Sequence, residues 1–237
     1  MKLDLLVIGA HPDDAEISVG GTILRATRAG GKVGVVDMTR GEMGSRGTIE
    51  DRDRETAAAS ELMGLAWRHN MDQPDSRVQA SVGLREDLAR ILRETRPDVV
   101  ITHHSDDLHP DHCATGEVVR QAWYLAGLMR AATLAGGPPG FRPARLYHFM
   151  SHIDFTPTFV VDVGDVWEKK LAVVGCYGTQ LAPADDQDKG EHFLFGADIL
   201  QRIESKARYF GEKIGATYGE PLLHIGPLPM SDPLIPG

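Results

Sequence analysis

The sequence predicts an α/β fold in which a mostly parallel sheet lies between layers of helices. Short apolar runs of strand length alternate with longer stretches that have the apolar spacing of helices. A chain that alternates strands and helices builds a parallel sheet, because each helix returns the chain to the edge where the previous strand began. The 237 residues can form one large core and no linker divides them, so we expect a single domain over residues 1–237.

Each element follows from a local pattern. Strand-like runs occur at residues 3–9, 32–39, 98–102, 145–150 and 158–163. Amphipathic stretches predict helices at residues 15–29, 50–63, 84–94, 114–134, 166–176 and 197–211. Gly30 ends the first helix, and Thr48 with Asp51 has the spacing of a capping box at the start of the second. This order is typical of a Rossmann-like, three-layer arrangement.

The composition argues against several classes of partner. A formal net charge of −9 does not suit a surface that neutralises nucleic acid phosphates. No apolar run approaches the ~18 residues of a membrane span, and the first residues lack the pattern of a signal peptide. Cys113 and Cys176 form no C-x-x-C motif, so neither a disulfide framework nor a thiolate metal site is expected. We therefore expect a cytoplasmic protein that binds neither nucleic acid nor membranes.

Two clusters of His and Asp each follow a predicted strand. The sequence His-Pro-Asp-Asp begins at His11, after the first strand, and His-Pro-Asp-His begins at His109, after the strand at 98–102. In open parallel sheets, ligands bind beyond the carboxyl ends of the strands, where such loops converge. The two clusters therefore meet if these two strands are neighbours in the sheet.

We expect His11, Asp14 and His112 to bind one metal ion. Two imidazoles and a carboxylate suit zinc and also accept iron, cobalt or nickel. Three protein ligands leave a fourth position for water, as in catalytic zinc sites. Asp13 is then expected to be the general base that takes a proton from this water, so that the nucleophile is hydroxide. The pattern predicts a hydrolase with one Zn²⁺ ion per subunit.

Two further residues of the second cluster are candidates for proton transfer. His109 lies three residues before His112, where its ring can face the substrate instead of the metal. A protonated His109 would donate to the oxyanion or to the leaving amine. We expect Asp111 to orient this ring and to favour its charged form.

The loop at 41–48 is expected at the same edge of the sheet as the two clusters. Arg46 and Arg52 are placed to reach an anionic substrate, because a guanidinium group donates two parallel hydrogen bonds to a carboxylate. The alternative is an ordinary connection, with Arg52 paired to acidic neighbours on a solvated helix face. The sequence leaves both interpretations open.

Other features have interpretations without chemistry. Asp residues after His11 can serve as helix caps, and the cluster at His109 alone describes a polar turn, but the pairing of the two favours a metal. We place His103 and His104 outside the site, as hydrogen-bonding groups at a strand end. Gly20-Gly21 lies within a predicted helix, so close helix-to-sheet packing explains it better than a nucleotide loop.

These motifs resemble those of the LmbE-like or PIG-L-like family of zinc-dependent N-acetylglucosamine deacetylases, which are A-H-P-D-D-E and H-P-D-H. Here residues 10–16 read A-H-P-D-D-A-E, with Ala15 inserted, which is similar to the branch of the family that acts in bacillithiol biosynthesis. Further matches to that branch cover nearly the whole chain, at residues 41–48, Arg52 with Glu55, 96–98, 167–170, Cys176-Tyr177 with Gln180, and 219–221.

The resemblance implies a substrate and a set of roles. The substrate would be N-acetylglucosaminyl malate, hydrolysed to glucosaminyl malate and acetate, with Arg52 meeting the malate carboxylate. The family's zinc ligands, base, acid and orienting carboxylate fall on His11, Asp14 and His112, on Asp13, on His109 and on Asp111. Sugar contacts are expected around residues 191–193. Family members assemble as homo-oligomers, including hexamers, so a homo-oligomer is expected here.

Two other functions stay open at this point. The same chemistry would serve another amide, such as a thiol S-conjugate or a different N-acetylglucosaminide. A non-catalytic sugar- or nucleotide-binding module would use the cleft without a metal. A base beside an open metal position favours the enzyme, because a binding module has no need of one.

Overall fold

A computed structural model describes residues 1–44, 46–130, 137–181 and 199–228. Its strands are β1 (Leu5–Gly9), β2 (Val33–Asp37), β3 (Trp67–Asn70), β4 (Val99–His103), β5 (Arg145–Phe149), β6 (Phe159–Asp162) and β7 (Gly219–Leu223). Its helices are α1 (Asp14–Arg28), α2 (Ile49–Met63), α3 (Val82–Thr95), α4 (Pro110–Ala126), α5 (Trp167–Val174), α6 (Gly178–Leu181) and α7 (Ile199–Glu212), with a 3₁₀ turn at Gly164–Val166.

The seven strands form one sheet in the order β3-β2-β1-β4-β5-β7-β6. Strands β1 to β5 are parallel, and β7 is antiparallel to both β5 and β6. Strand β1 lies between β2 and β4, with Ile8 in register with Thr102. The carboxyl ends of β1 and β4 are therefore neighbours, which is the condition that the two His and Asp clusters needed to meet.

Helices cover both faces of the sheet. Leu5 and Val7 of β1 face a core shared with α1, α2, α5 and α7, whereas Leu6 and Ile8 face a core shared with α3 and α4. This alternation is the period of two expected of a strand that is buried on both sides. The predicted α/β fold with a mostly parallel sheet between helix layers is confirmed.

Two strands were absent from the prediction. Strand β3 is short, and Arg68 within it binds buried carboxylates, so its sequence lacks an apolar run. Strand β7 contains a buried Glu220 and a proline, and these two residues interrupt the apolar pattern by which a strand is predicted. Both are short strands whose formation depends on tertiary contacts.

Helix α4 also differs from its predicted range of 114–134. It begins at Pro110, because the side chain of His109 caps it, and it ends at Ala126. The carbonyl of Ala126 accepts a hydrogen bond from the Phe141 amide at 2.8 Å, which replaces the bond that a continuing helix would make. Residues 131–134 and 197–198 of two predicted helices lie outside the described residues.

Two local predictions are supported by contacts. Thr48 and Asp51 form the capping box of α2, with the Asp51 amide donating to Thr48 Oγ1 at 3.1 Å. Helix α1 kinks at Val19, and a Cβ on Gly21 would lie 2.7 Å from Val163 and 2.9 Å from Glu220 Oε1. Gly21 therefore serves close packing between α1 and the sheet. No helix in the described ranges has both the length and the apolar character needed to cross a membrane.

Candidate metal centre and active site

The loops after β1 and β4 bring the predicted site residues to one cavity. The cavity has a volume of about 580 Å³ and lies at the carboxyl edge of the sheet. Its wall includes His11, Asp13, Asp14, Arg52, His109 and His112. Six of the eight predicted residues therefore lie on one surface.

Asp14 lies between two imidazole rings. Its Oδ2 is 3.4 Å from Nδ1 of His11, and its Oδ1 is 3.3 Å from Nε2 of His112. Two donors that each lie about 2.1 Å from a zinc ion at a tetrahedral angle are about 3.4 Å apart. Each separation fits a pair of ligands on one cation. Donor atoms close enough to share an ion occur in overlapping groups of the described residues, among them His11 with His109 and His112, and Asp14 with His103 and His112.

The outer nitrogens of both rings contact buried carboxylates. Nδ1 of His112 is 3.3 Å from Oδ1 of Asp107, while Nε2 of His11 is 3.2 Å from Asp75 and 3.3 Å from Asp111. Histidines that bind metals commonly donate their second N–H to a carboxylate, which fixes the tautomer and the ring orientation. The surroundings of His11 and His112 therefore match those of metal ligands.

The carboxylates also change the protonation of these rings. Burial lowers the pKa of His112, but the charge of Asp14 and the bond to Asp107 outweigh burial and raise this pKa to about 9. Burial likewise opposes charge on His11, and bonds to Asp111, Asp14 and Asp75 hold its pKa well above the ordinary value. Without a bound cation, both imidazole rings are therefore in the doubly protonated, positively charged form at neutral pH. A bound metal would replace these protons.

Asp13 has a strained backbone at the cavity wall. Its φ of 124° lies in a region that residues with a side chain rarely adopt. Burial raises the pKa of Asp13 to about 7, against the opposing charge of Arg52. Nη1 of Arg52 donates to Asp13 Oδ2 at 3.1 Å and to the Pro12 carbonyl at 2.6 Å. A carboxyl group titrating near neutral pH suits proton transfer.

His109 is oriented by the backbone of helix α4. Its Nδ1 accepts a hydrogen bond from the Asp111 amide at 3.2 Å, so the ring proton lies on Nε2. Burial and the neighbouring rings of His11 and His112 lower the pKa of His109. The ring lines the cavity, where its Nε2 can donate a hydrogen bond.

The carboxylate of Asp111 is placed differently from our expectation. It accepts hydrogen bonds from the amides of Ser76 and Val78, at 2.7 and 3.1 Å, and it faces His11. Asp111 follows Pro110 in the first turn of α4. Its backbone amide donates to the His109 side chain that caps this helix, while its own carboxylate contacts His11. The expected carboxylate contact with His109 is replaced by the contact with His11.

The two arginines differ in position. Arg52 is buried, holds Asp13 and lines the cavity. Arg46 is absent from the described residues that line the cavity, and its carbonyl accepts a bond from Gln180. The expected sugar contacts at 191–193 lie outside the described residues.

Several site residues were missed or set aside in the sequence. His103 is fully buried, its Nε2 is 3.0 Å from Asp14 Oδ2, and its ring stacks on His112. Burial lowers its pKa to about 4, so it is neutral at physiological pH. His103 therefore belongs to the cluster, and its place at the end of β4 was the available signal. Asp75, Asp107 and His152 had no motif to mark them.

Comparisons with known proteins identify the family of the chain. The family described as GlcNAc-PI de-N-acetylase, PIG-L, matches residues 6–123. The 1D-myo-inositol 2-acetamido-2-deoxy-alpha-D-glucopyranoside deacetylase of Mycobacteroides abscessus is 30% identical over 233 residues, which cover 77% of this chain and 83% of that protein. The diacetylchitobiose deacetylase of Thermococcus kodakarensis is 28% identical over 229 residues, which cover 91% of this chain and 80% of that protein.

A solved structure shows the same fold over nearly the whole chain. It is that of a conserved protein from Thermus thermophilus, with a TM-score of 0.86 and 35% identity, and the match covers 99% of this chain and 100% of that one. The chain belongs to the PIG-L family of deacetylases. It is an enzyme, a metal-dependent amide hydrolase, as the sequence predicted.

Proposed function

We propose that this chain is a zinc-dependent N-deacetylase that hydrolyses the acetamide of an N-acetylglucosamine-containing small molecule. One observation carries the proposal. Asp14 lies between the inner nitrogens of His11 and His112, while buried carboxylates contact their outer nitrogens. These three residues are the proposed zinc ligands. When bound there, zinc would polarise the amide carbonyl and lower the pKa of a coordinated water.

Asp13 is the proposed general base. Its carboxylate lies at the cavity wall beside Asp14, so it can take a proton from the attacking water without binding the metal itself. Arg52 donates a hydrogen bond to one oxygen of Asp13, and its charge lowers the pKa of this carboxyl group, against the effect of burial. The strained backbone at Asp13 holds the carboxylate in this direction.

His109 is the proposed oxyanion donor. The Asp111 amide donates to its Nδ1, so the N–H at Nε2 of the neutral ring can donate a hydrogen bond to the substrate carbonyl oxygen as negative charge develops there. The leaving amine would receive the proton that Asp13 takes from the attacking water. Asp111 acts through its backbone on His109 and through its carboxylate on His11, so it is a positioning residue for the oxyanion donor and for a proposed metal ligand.

We further propose N-acetylglucosaminyl malate as the substrate, with Arg52 as the residue that meets a malate carboxylate, since Arg46 is not among the described residues of the cavity wall. Support comes from the cationic side chains of Arg52, Arg202 and Lys206 in the cavity wall and from the family branch that the motifs resemble. Thiol S-conjugates and other N-acetylglucosaminides are the competing substrates. The relatives include a deacetylase of diacetylchitobiose and a deacetylase of an inositol glucopyranoside. A plain N-acetylglucosaminide is therefore one of the competing substrates.

The experiment measures free amine and acetate from three substrates with zinc-loaded protein. The substrates are N-acetylglucosaminyl malate, N-acetylglucosamine and diacetylchitobiose, each compared with Asp13→Asn. The proposal expects release that the substitution abolishes while zinc is retained, and a preference of at least about tenfold for the malate compound, which Arg52→Ala reduces. Release from no substrate, with zinc verified in place, overturns the N-acetylglucosaminide assignment and favours another amide, such as a thiol S-conjugate. Equal release from all three overturns only the malate assignment.

A further inference from the structure

His152 lies in the cavity wall just after β5, and the mechanism above does not use it. Its Nδ1 is 2.7 Å from Oδ1 of Asp107, and its backbone amide donates to Oδ2 of the same residue at 3.2 Å. Because Asp107 holds both the ring and the backbone, the orientation of the ring is fixed. In the neutral ring that donates from Nδ1 to Asp107, Nε2 is a hydrogen-bond acceptor.

Asp107 also connects this ring to the metal centre. Only 2% of its side chain is exposed, and its Oδ1 contacts Nδ1 of His112 and accepts from the His109 amide at 3.1 Å. The rings of His112 and His152 are nearly parallel, with centroids 5.1 Å apart and an interplanar angle of 11°. One carboxylate therefore sets the position of His152 relative to a proposed zinc ligand.

The other nitrogen of His152 is available to a ligand. About a fifth of the side chain, 21%, is exposed, and the residue lines the cavity. Among the described residues no hydrogen bond to its Nε2 is formed. The apolar side chains of Met150 and Leu108 line the same cavity. An oriented acceptor beside apolar groups suits a sugar ring, which offers hydroxyl donors and apolar C–H faces.

We propose that Nε2 of His152 accepts a hydrogen bond from one ring hydroxyl of the hexosamine, so that the Asp107 and His152 pair is a specificity element of the site. The inference rests on the proposed deacetylase function. A site built to bind a hydroxyl discriminates against an analogue that lacks it, because the acceptor is then buried without a partner. His152 is thus a substrate-binding residue, whereas Asp107 positions it.

The experiment is a double-mutant cycle in which one change is made in the protein and the other in the sugar. The probes are N-acetylglucosamine and its 3-deoxy, 4-deoxy and 6-deoxy analogues, with wild type and His152→Ala. We expect one analogue to lose about tenfold in kcat/KM with wild type, and His152→Ala to lose about tenfold on the parent sugar with no further loss on that analogue. The other analogues should lose equally with both proteins. Additive losses on every analogue overturn the proposal.

Two measurements distinguish sugar binding by His152 from a purely structural role. Zinc affinity of His152→Ala, from chelator competition, is expected to stay close to that of wild type. A loss of about tenfold or more, typical of a residue that orients a metal ligand, would overturn the proposal. Binding of the same sugars to Asp13→Asn protein, by calorimetry, gives the hydroxyl dependence without turnover. If that protein binds the sugars without dependence on His152, the inference fails whatever the activity. His69→Ala, at an exposed ring on β3, is the matched control and should change neither quantity.

Discussion

Oδ1 of Asp107 lies 3.3 Å from Nδ1 of His112, the ring nitrogen that faces away from Asp14. The imidazole therefore lies between two buried carboxylates. Such an arrangement fixes the ring and its tautomer, so that a metal meets a ligand that is already oriented.

Removing the charge of Asp107 should weaken metal binding. We expect Asp107→Asn to lose about 10- to 100-fold in zinc affinity, because carboxylates that orient metal-binding histidines contribute about that much. Competition with a fluorescent chelator measures it. Asp98→Asn, which alters an exposed pair with Lys2, is the control and should leave the affinity unchanged. Equal affinities for all three proteins would contradict the role of Asp107.

Loss of the base should separate metal binding from turnover. Asp13→Asn is expected to keep one zinc and to lose about 10²- to 10⁴-fold in kcat, the range typical of a removed general base. Elemental analysis and acetate release at saturating substrate test this. Full turnover in the variant would remove Asp13 from the mechanism.

Metal binding should release protons. Because the pKa of His112 is raised to about 9 and that of His11 is also raised, both rings are protonated at pH 7 in the metal-free protein. A metal binds the neutral rings, so its apparent affinity should rise with pH by up to about 100-fold per unit until both rings are neutral. Calorimetry in buffers of different ionisation enthalpy should count about two protons at pH 7. A count near zero would mean that the rings are already neutral.

The buried pair of Lys170 and Glu220 should matter for stability. Lys170 Nζ lies 2.6 Å from Glu220 Oε1, and each side chain is 2% exposed. Lys170→Met leaves a buried charge without its partner, so we expect a loss of about 3–5 kcal/mol in the free energy of unfolding. Arg25→Met, at an exposed pair with Asp165, should cost less than about 1 kcal/mol. Urea unfolding of metal-free protein compares them, and similar losses would contradict the account.

The sequence predicted the parts of this site that depend on local pattern. The clusters at His11 and His109 follow strands, and alternation predicted that both lie at the carboxyl edge of the sheet. That they meet depends on the pairing of β1 with β4, which the structure supplies. The capping box of α2 is local in the same way. The expectation of a homo-oligomer stays a prediction.

What could not be predicted depends on how loops approach one another. Asp75 reaches His11 from the loop after β3, a strand with no apolar run, and His152 reaches Asp107 from the loop after β5. The direction of the Asp111 side chain depends on the start of α4 at Pro110, four residues before the predicted start. These contacts are set by tertiary packing, which no local spacing encodes.

The proposed function requires one zinc ion at His11, Asp14 and His112. Metal-free protein is titrated with zinc while acetate release from N-acetylglucosaminyl malate and N-acetylglucosamine is followed. We expect negligible release without metal, a linear rise that ends at one equivalent, and no rise for His112→Ala. Full release from protein shown by elemental analysis to be metal-free, or an unchanged titration of His112→Ala, would contradict it.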